Sequence, residues 1–256
     1  LSPSSAASDV YKRQAVIIGA TSGIGQEIAS VLLAQGWRVG IAGRRYEALE
    51  AFRKLHPDRI EVQEIDVTKE DAPEKLSRLI EQLGGMELFL LSSGIGHQNI
   101  DLIPEIEINT VRTNVEGFTR MVDAAFHYFA EQGGGHLAVI SSIAGTKGLG
   151  VASAYSATKR FQNTYIDALE QLAYMQKLNL CFTDIRPGFV ATNLLNDGKN
   201  YPMLMNPHKV ARIAVKALNR KKRVVVIDWR YRILVFFWKL IPDWLWKRLP
   251  IMTASR

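Results

Sequence analysis

The sequence predicts an α/β fold built on a parallel sheet, and three observations predict it. Short apolar runs rich in β-branched residues alternate along the chain with segments of helical character. The runs are apolar on both faces, as strands covered by helices on either side must be. No composition shift or linker divides the 256 residues, a length that suits one large domain.

The elements follow in order. Ala15 to Ile18, bounded by Gly19, reads as a buried strand, and Ile24 to Gln35 as a helix that Gly36 stops. Trp37 to Ala42 is a second strand and Tyr46 to Leu55 a helix. Residues 60–67, IEVQEIDV, alternate as a third strand, and Pro73 to Leu83 is a helix beginning near a proline. MELFLLSSG at 86–94 is a fourth strand, and Asn109 to Gln132 a long helix ended by three glycines. HLAVISS at 136–142 is a fifth strand, Ala154 to Lys177 another long helix, and NLCFTDIRPG at 179–188 a sixth strand. Pro207 to Leu218 is a helix and RVVVI at 223–227 a seventh strand. Right-handed crossovers then give a single doubly wound, Rossmann-like fold with a seven-stranded parallel sheet over residues 13–228. Residues 1–12 are Ser/Ala-rich, lack the apolar core of a signal peptide and read as a disordered tail or scar.

Composition narrows the function. Apolar residues make up 47% of the chain, ample for a core, and the net charge is +7. The basic residues gather at Arg44 and Arg45 and from Arg220 onward, without the aromatic-interleaved tract of a nucleic-acid groove, so no nucleic acid is expected. Cys181 is the only cysteine and sits in an apolar strand-like run, where it packs; a reducing, cytoplasmic location fits. His56, His97, His127, His136 and His208 show no metal-ligand spacing, so no metal is expected.

Two motifs carry chemistry. GATSGIG follows the first strand and opens the first helix. Gly19 permits the tight turn, Gly23 lets backbone approach a pyrophosphate, and Gly25 lets helix and strand pack closely. With Thr21, Ser22 and Ile24 these residues form a candidate phosphate loop at a helix N-terminus. Tyr155 and Lys159 are one helical turn apart, on the same face. An ammonium beside a phenol should draw its pKa down from about 10 toward working pH, fitting it to pass protons.

Gly-x-x-x-Gly-x-Gly after the first strand, with Tyr-x-x-x-Lys on a later helix, resembles the short-chain dehydrogenase/reductase family, from about Ala15 to Ile227. The resemblance implies a serine thirteen residues before the active tyrosine, and Ser142 stands there to polarise the substrate oxygen. It implies that Tyr155 is the general acid and base, and that Lys159 lowers its pKa and binds the nicotinamide ribose. Asn114 would be the fourth catalytic member, holding a water in a proton relay. Pro187, Gly188, Val190 and Thr192 would meet the nicotinamide end, and Asp66 and Val67 the adenine. Where the family has Asn-Asn-Ala-Gly, this chain has Leu91, Ser92, Ser93 and Gly94. Ser93 and Gly94 would still border the cofactor, and Ser92 would replace part of the missing hydrogen bonding. A homodimer or homotetramer through the two long helices is also implied.

After the second strand no acid is present to accept a ribose 2′-OH; Arg44 and Arg45 follow Gly43 instead. A guanidinium suits a 2′-phosphate, so NADP(H) is expected over NAD(H). The leading reading is therefore an oxidoreductase that interconverts a carbonyl and an alcohol; the rival is a silent dinucleotide-binding sensor or scaffold. The substrate loop, Phe189 to Pro207, carries Leu194, Leu195, Tyr201, Met203, Leu204 and Met205, which favour an apolar substrate. His97, after the fourth strand, reads as a surface loop residue near the cleft.

Residues 229–256 form an apolar and basic tail, and 228–250 hold four of the five Trp. Its apolar run is too short to cross a bilayer. Two readings stand: an interfacial helix on anionic lipid, or packing on a sister subunit or over the cleft. On a helical wheel Arg232 and Lys239 share one side and Arg230 lies opposite, a poor separation.

Overall fold

The structure, a computed structural model, describes residues 13–195, 198 and 200–251; the expected tail of 1–12 lies outside them. Seven parallel strands form one sheet in the order β3-β2-β1-β4-β5-β6-β7. They are β1 (Gln14–Ile18), β2 (Arg38–Gly43), β3 (Ile60–Glu64), β4 (Leu88–Leu91), β5 (Gly135–Ile140), β6 (Leu180–Arg186) and β7 (Val224–Val226). Ile17 pairs with Ile41 on one side and Leu90 on the other. The strand order reverses between β1 and β4, the switch point at which a crevice opens at the strands' carboxyl ends.

Side-chain alternation sorts the core into two layers. Ile17, Ile41, Leu90 and Ala138 face α1 (Gly23–Ala34) and, farther along the chain, the helices Pro207–Asn219 and Trp229–Leu240. Ile18, Phe89, Leu91 and Val139 face the opposite layer. That layer holds α3 (Ala72–Leu83), α5 (Phe118–Gln132) and α6 (Ser153–Met175); α2 (Tyr46–Arg53) lies between β2 and β3 in the chain. Left-handed Gly84 and Gly133 end α3 and α5, a conformation that glycine adopts without steric cost.

One long helix was expected from Asn109; the chain instead begins it earlier and breaks its regularity. Pro104 opens α4 (Pro104–Val111), since a proline at the first turn forfeits no helical hydrogen bond. A π-helical turn, Arg112–Gly117, then leads into α5. Such a turn shifts the register of a helix face and often marks a functional site; here it contains Asn114.

The segment read as a tail forms α8 (Trp229–Leu240) and α9 (Asp243–Trp246), after α7 (Pro207–Asn219). Asp228, at φ +74°, turns the chain after β7 and its carboxylate caps α8 by accepting from Arg230 N–H at 2.9 Å. Tyr231 and Val235 are buried in the α1-side layer, so the first turns of α8 belong to the core. Among the described residues, no helix is long and apolar enough to cross a membrane.

Candidate active site

A cleft of about 1280 Å³ opens at the carboxyl ends of the strands. One end is the loop between β1 and α1. A Cβ on Gly19, whose φ is +89°, would stand 2.6 Å from the Ser93 amide nitrogen, and one on Gly25 would strike the Gly19 carbonyl. Only glycine lets these backbones meet. Ser22, extended before α1, makes no capping bond to the helix, which leaves the first-turn amides for an anion. Its hydroxyl accepts instead from Arg45, 2.9 Å away, and Arg45 also donates to the Thr21 hydroxyl at 3.0 Å. Gly19, Thr21, Ser22, Gly23, Ile24, Arg44, Arg45, Asp66 and Val67 all line this end. Gly25 lies beneath the loop and supports it.

Burial works to raise the Asp66 pKa, but the amide and hydroxyl of Thr68 donate to it and Arg44 adds its charge, so the net direction is down. Across β1, the strand tie after Leu91 is main chain: Ser92 N–H donates to the Ile18 carbonyl at 2.8 Å. The Ser92 side chain takes no part in that bond. Ser93 and Gly94 continue along the cleft wall.

At the other end β5 delivers Ser142. It caps the turn Ile143–Thr146 by accepting from the Ala144 amide at 3.1 Å, and its hydroxyl reaches the Pro187 carbonyl at 3.4 Å. Tyr155 and Lys159 come from the first turns of α6, whose start is held by Glu107 of α4, which accepts from Ala154 N–H at 2.9 Å. Ser142, Tyr155 and Lys159 thus line one wall.

The electrostatics differ from the simple pairing of phenol and ammonium. Burial pushes the Tyr155 pKa up, only partly offset by a hydrogen bond with Ser142. Lys159 does not bring it down, because its ammonium lies 5.7 Å from the ring centroid and is turned to other partners. It donates to the Ile140 carbonyl at 3.1 Å and to Gln162 Oε1 at 3.0 Å. Burial also pushes the Lys159 pKa down to about 8, against the pull of Asp184. That carboxylate is fully buried in β6, accepting from Ser141, from Asn163 at 2.9 Å and from Arg186 at 2.7 Å.

Asn114 is fully buried behind the wall and does not line the cleft. Its side chain accepts from the Ile95 amide at 2.9 Å and donates to the Ile95 carbonyl at 2.7 Å, fastening the loop after β4. Its main-chain carbonyl accepts from Gln162 Nε2 at 2.9 Å. The Gln162 amide therefore bridges Asn114 and Lys159.

Pro187, Gly188, Val190 and Thr192 follow β6 and border the cleft, with Thr192 facing Gly23 across it. Of the expected substrate residues, Phe189, Leu194, Leu195, Tyr201 and Met203 line it. Leu204 points to solvent and Met205 is buried in the core, so neither reaches it. Met205 pairs with the chain at Val190 as a one-residue bridge, which consumes its alternation. His97 is exposed at the cleft rim.

Packing over the cleft was one reading of the C-terminal segment, and its helices do line the cleft through Tyr231, Leu234 and Trp238; the individual contacts were not foreseen. The Tyr231 ring packs where a Gly188 side chain would be; its hydroxyl accepts from Phe189 N–H and donates to the Pro202 carbonyl, each at 3.0 Å. Trp238 and Trp246 stack edge to face over Ala144, Leu149 and Tyr155, and Trp246 donates to the Gly148 carbonyl at 2.7 Å. A buried aromatic in a segment that otherwise looks like a surface tail gives no periodic signal that could have assigned it to this loop.

A main-chain cradle suited to an anion and a buried phenol open on one cleft, an arrangement that suits an oxidoreductase working with a nicotinamide dinucleotide. The comparisons with known proteins identify the family. The short chain dehydrogenase profile matches residues 13–200. An uncharacterized oxidoreductase of Myxococcus xanthus is 33% identical over 90% of this chain and 93% of its own length. Dehydrogenase/reductase SDR family member 7B of Bos taurus is 29% identical over 96% of this chain and 83% of its own. The chain belongs to the short-chain dehydrogenase/reductase family. Among solved structures, a 3-ketoacyl-(acyl-carrier-protein) reductase of Brucella melitensis complexed with NADH superposes with a TM-score of 0.74 at 23% identity, covering 84% of this chain and 96% of that one. Actinorhodin polyketide ketoreductase with NADPH gives 0.74 at 21%, covering 85% and 96%. At these identities the likeness bears on the fold.

Proposed function

We propose that this chain is an NADP(H)-dependent oxidoreductase that interconverts an apolar carbonyl compound and its alcohol, with Tyr155 as general acid and base. The observation that carries the reading is that Ser142, Tyr155 and Lys159 share a cleft with the glycine loop. The residues present fit the dinucleotide: uncapped amides at α1, a cradle that a Cβ would fill, and two arginines beyond it. Gly19 to Gly25 would hold the pyrophosphate. Arg44 and Arg45 would take a 2′-phosphate, and Asp66 and Val67 the adenosine. Pro187, Gly188, Val190 and Thr192 would border the nicotinamide, and Lys159 its ribose. When bound, the nicotinamide supplies or accepts the hydride.

The chain's own residues handle the proton. In reduction, Tyr155 gives its phenolic proton to the carbonyl oxygen, and Ser142 donates a hydrogen bond to the same oxygen. In oxidation the phenolate takes the alcohol proton. Asn114 acts as a positioning residue, fixing the loop after β4 directly and the ammonium through Gln162.

The enzyme works in the cytoplasm as a homodimer or homotetramer paired through the long helices. The test is cofactor consumption with a panel of apolar ketones and aldehydes. NADPH should be preferred, and Arg44→Asp should cost at least about tenfold in kcat/KM for NADPH with less effect on NADH. Equal kcat/KM for the two cofactors would sink the preference. Tight NADPH binding with no turnover of any carbonyl would favour a sensor.

A further inference from the structure

The C-terminal helix α8 has two apolar faces, and the structure buries only one. Tyr231, Leu234, Val235 and Trp238 turn inward, to the core and the cleft. Trp229, Ile233, Phe236, Phe237 and Leu240 turn outward; Phe236 is 59% exposed and Phe237 57%. At about 100° per residue the outward set spans one stripe about 100° wide. Arg232 and Lys239 border it on one side and Arg230 on the other. The wheel that looked poorly separated mixed two apolar faces; once the inward set is removed, the basic residues edge the outward stripe. On α9, Trp244 is exposed too, with the Arg248 guanidinium 5.9 Å from its ring centroid.

Charge decides among the occupants such a face could have. Residues 229–251 carry five basic residues against one acid, Asp243, and that acid is paired with Lys147. A second copy would present the same excess of positive charge and repel it. Aromatic and aliphatic side chains edged by Arg and Lys match a lipid surface bearing anionic headgroups, with rings in the interface and cations at the phosphates.

We propose that the outward stripe of α8 seats on an anionic lipid surface, so that an apolar carbonyl passes from the lipid into the cleft beside Trp238 and Leu234. The same helix supplies both the stripe and that stretch of cleft wall. The route, but not the binding, rests on the apolar-substrate reading above.

The test is co-sedimentation of the full chain with vesicles of phosphatidylcholine mixed with phosphatidylglycerol, against phosphatidylcholine alone. Truncation before α8 would remove core residue Tyr231, so point variants are needed. The wild type should pellet with the anionic vesicles, more weakly with neutral ones, and less as salt rises. A Phe236→Glu, Phe237→Glu double variant and an Arg232→Glu, Lys239→Glu variant should each lose at least tenfold in bound fraction, with NADPH binding and melting temperature unchanged. Anionic vesicles should lower the apparent KM for a long-chain ketone in the wild type and not in the variants. Failure of the wild type to pellet, equal pelleting on neutral vesicles, or variants that pellet like wild type would overturn the seating. A light-scattering dimer that the phenylalanine variant splits, without vesicle binding, would give the face to a second copy. An unchanged KM would overturn the route. Pelleting needs no turnover, so a chain that binds vesicles but reduces nothing would contradict the oxidoreductase reading alone.

Discussion

The two ends of the cleft are made from different material. The glycine-loop end, proposed to hold the dinucleotide, is mostly main chain: amides at the start of α1, and glycines whose backbones approach neighbouring backbone. The Tyr155 end, proposed to take the substrate, is mostly side chain, drawn from distant parts of the sequence, with Tyr231, Leu234 and Trp238 coming from α8. A main-chain site demands a missing side chain at fixed spacing. A side-chain site accepts any residue that fills the volume and satisfies the polar groups. The first should therefore tolerate almost no substitution in its loop, and the second should lose function in graded steps.

The largest expected effect is at the main-chain end. Gly25→Val places atoms against the Gly19 carbonyl, and the loop cannot yield without parting α1 from β1. It should abolish NADPH binding and destabilise the fold by about 4 kcal/mol, measured by cofactor fluorescence titration and chemical denaturation. Near-normal binding would mean that the cradle is softer than its contacts imply.

At the side-chain end, Tyr231→Phe keeps the ring on Gly188 but removes the bonds to Phe189 and Pro202. Stability should fall by about 2 kcal/mol. The KM for the carbonyl substrate should rise severalfold while the Kd for NADPH changes little. A larger effect on NADPH than on substrate would erase the distinction between the two ends.

The smallest effect comes from a region remote from both. His136, at the amino-terminal start of β5, has its pKa pushed down to about 4, chiefly by burial, with its Nε2 2.8 Å from the Thr183 hydroxyl. Folding favours the neutral ring, so its contribution to stability is complete above the unfolded value of about 6.5 and is lost as pH falls toward 4. The loss should be on the order of 2 kcal/mol, allowing for the ring's partial exposure. Melting curves from neutral to acid pH should be steeper for wild type than for His136→Gln, with NADPH affinity at neutral pH the same in both.

The same contrast explains what could be read before the structure. The sheet, its seven strands and the glycine loop were legible because they depend on local patterns: two-sided apolar runs, glycine spacing and helix stops. Ser142, Tyr155 and Lys159 were legible as a set because the resemblance fixed their spacing. The start of the helix at Pro104 was not, since the following segment 105–111 mixes Glu, Ile and Asn without a clean helical stripe. Asn114 was identified, but its π-helical setting and the Gln162 bridge depend on a contact across 48 residues. Tyr231 reaches Phe189 across 42 residues, and nothing local marks that pairing. The direction of the Tyr155 pKa was misjudged because spacing reveals a nearby cation but neither its burial nor the partners that turn it away.

The central claim is that one phenol handles the proton in a cleft whose dinucleotide end works independently of it. The direct measurement is Tyr155→Phe, assayed for both NADPH binding and carbonyl reduction. The account predicts unchanged cofactor affinity and a loss of about a hundredfold to ten-thousandfold in kcat. Reduction retained at the wild-type rate, or cofactor binding lost together with turnover, would contradict it.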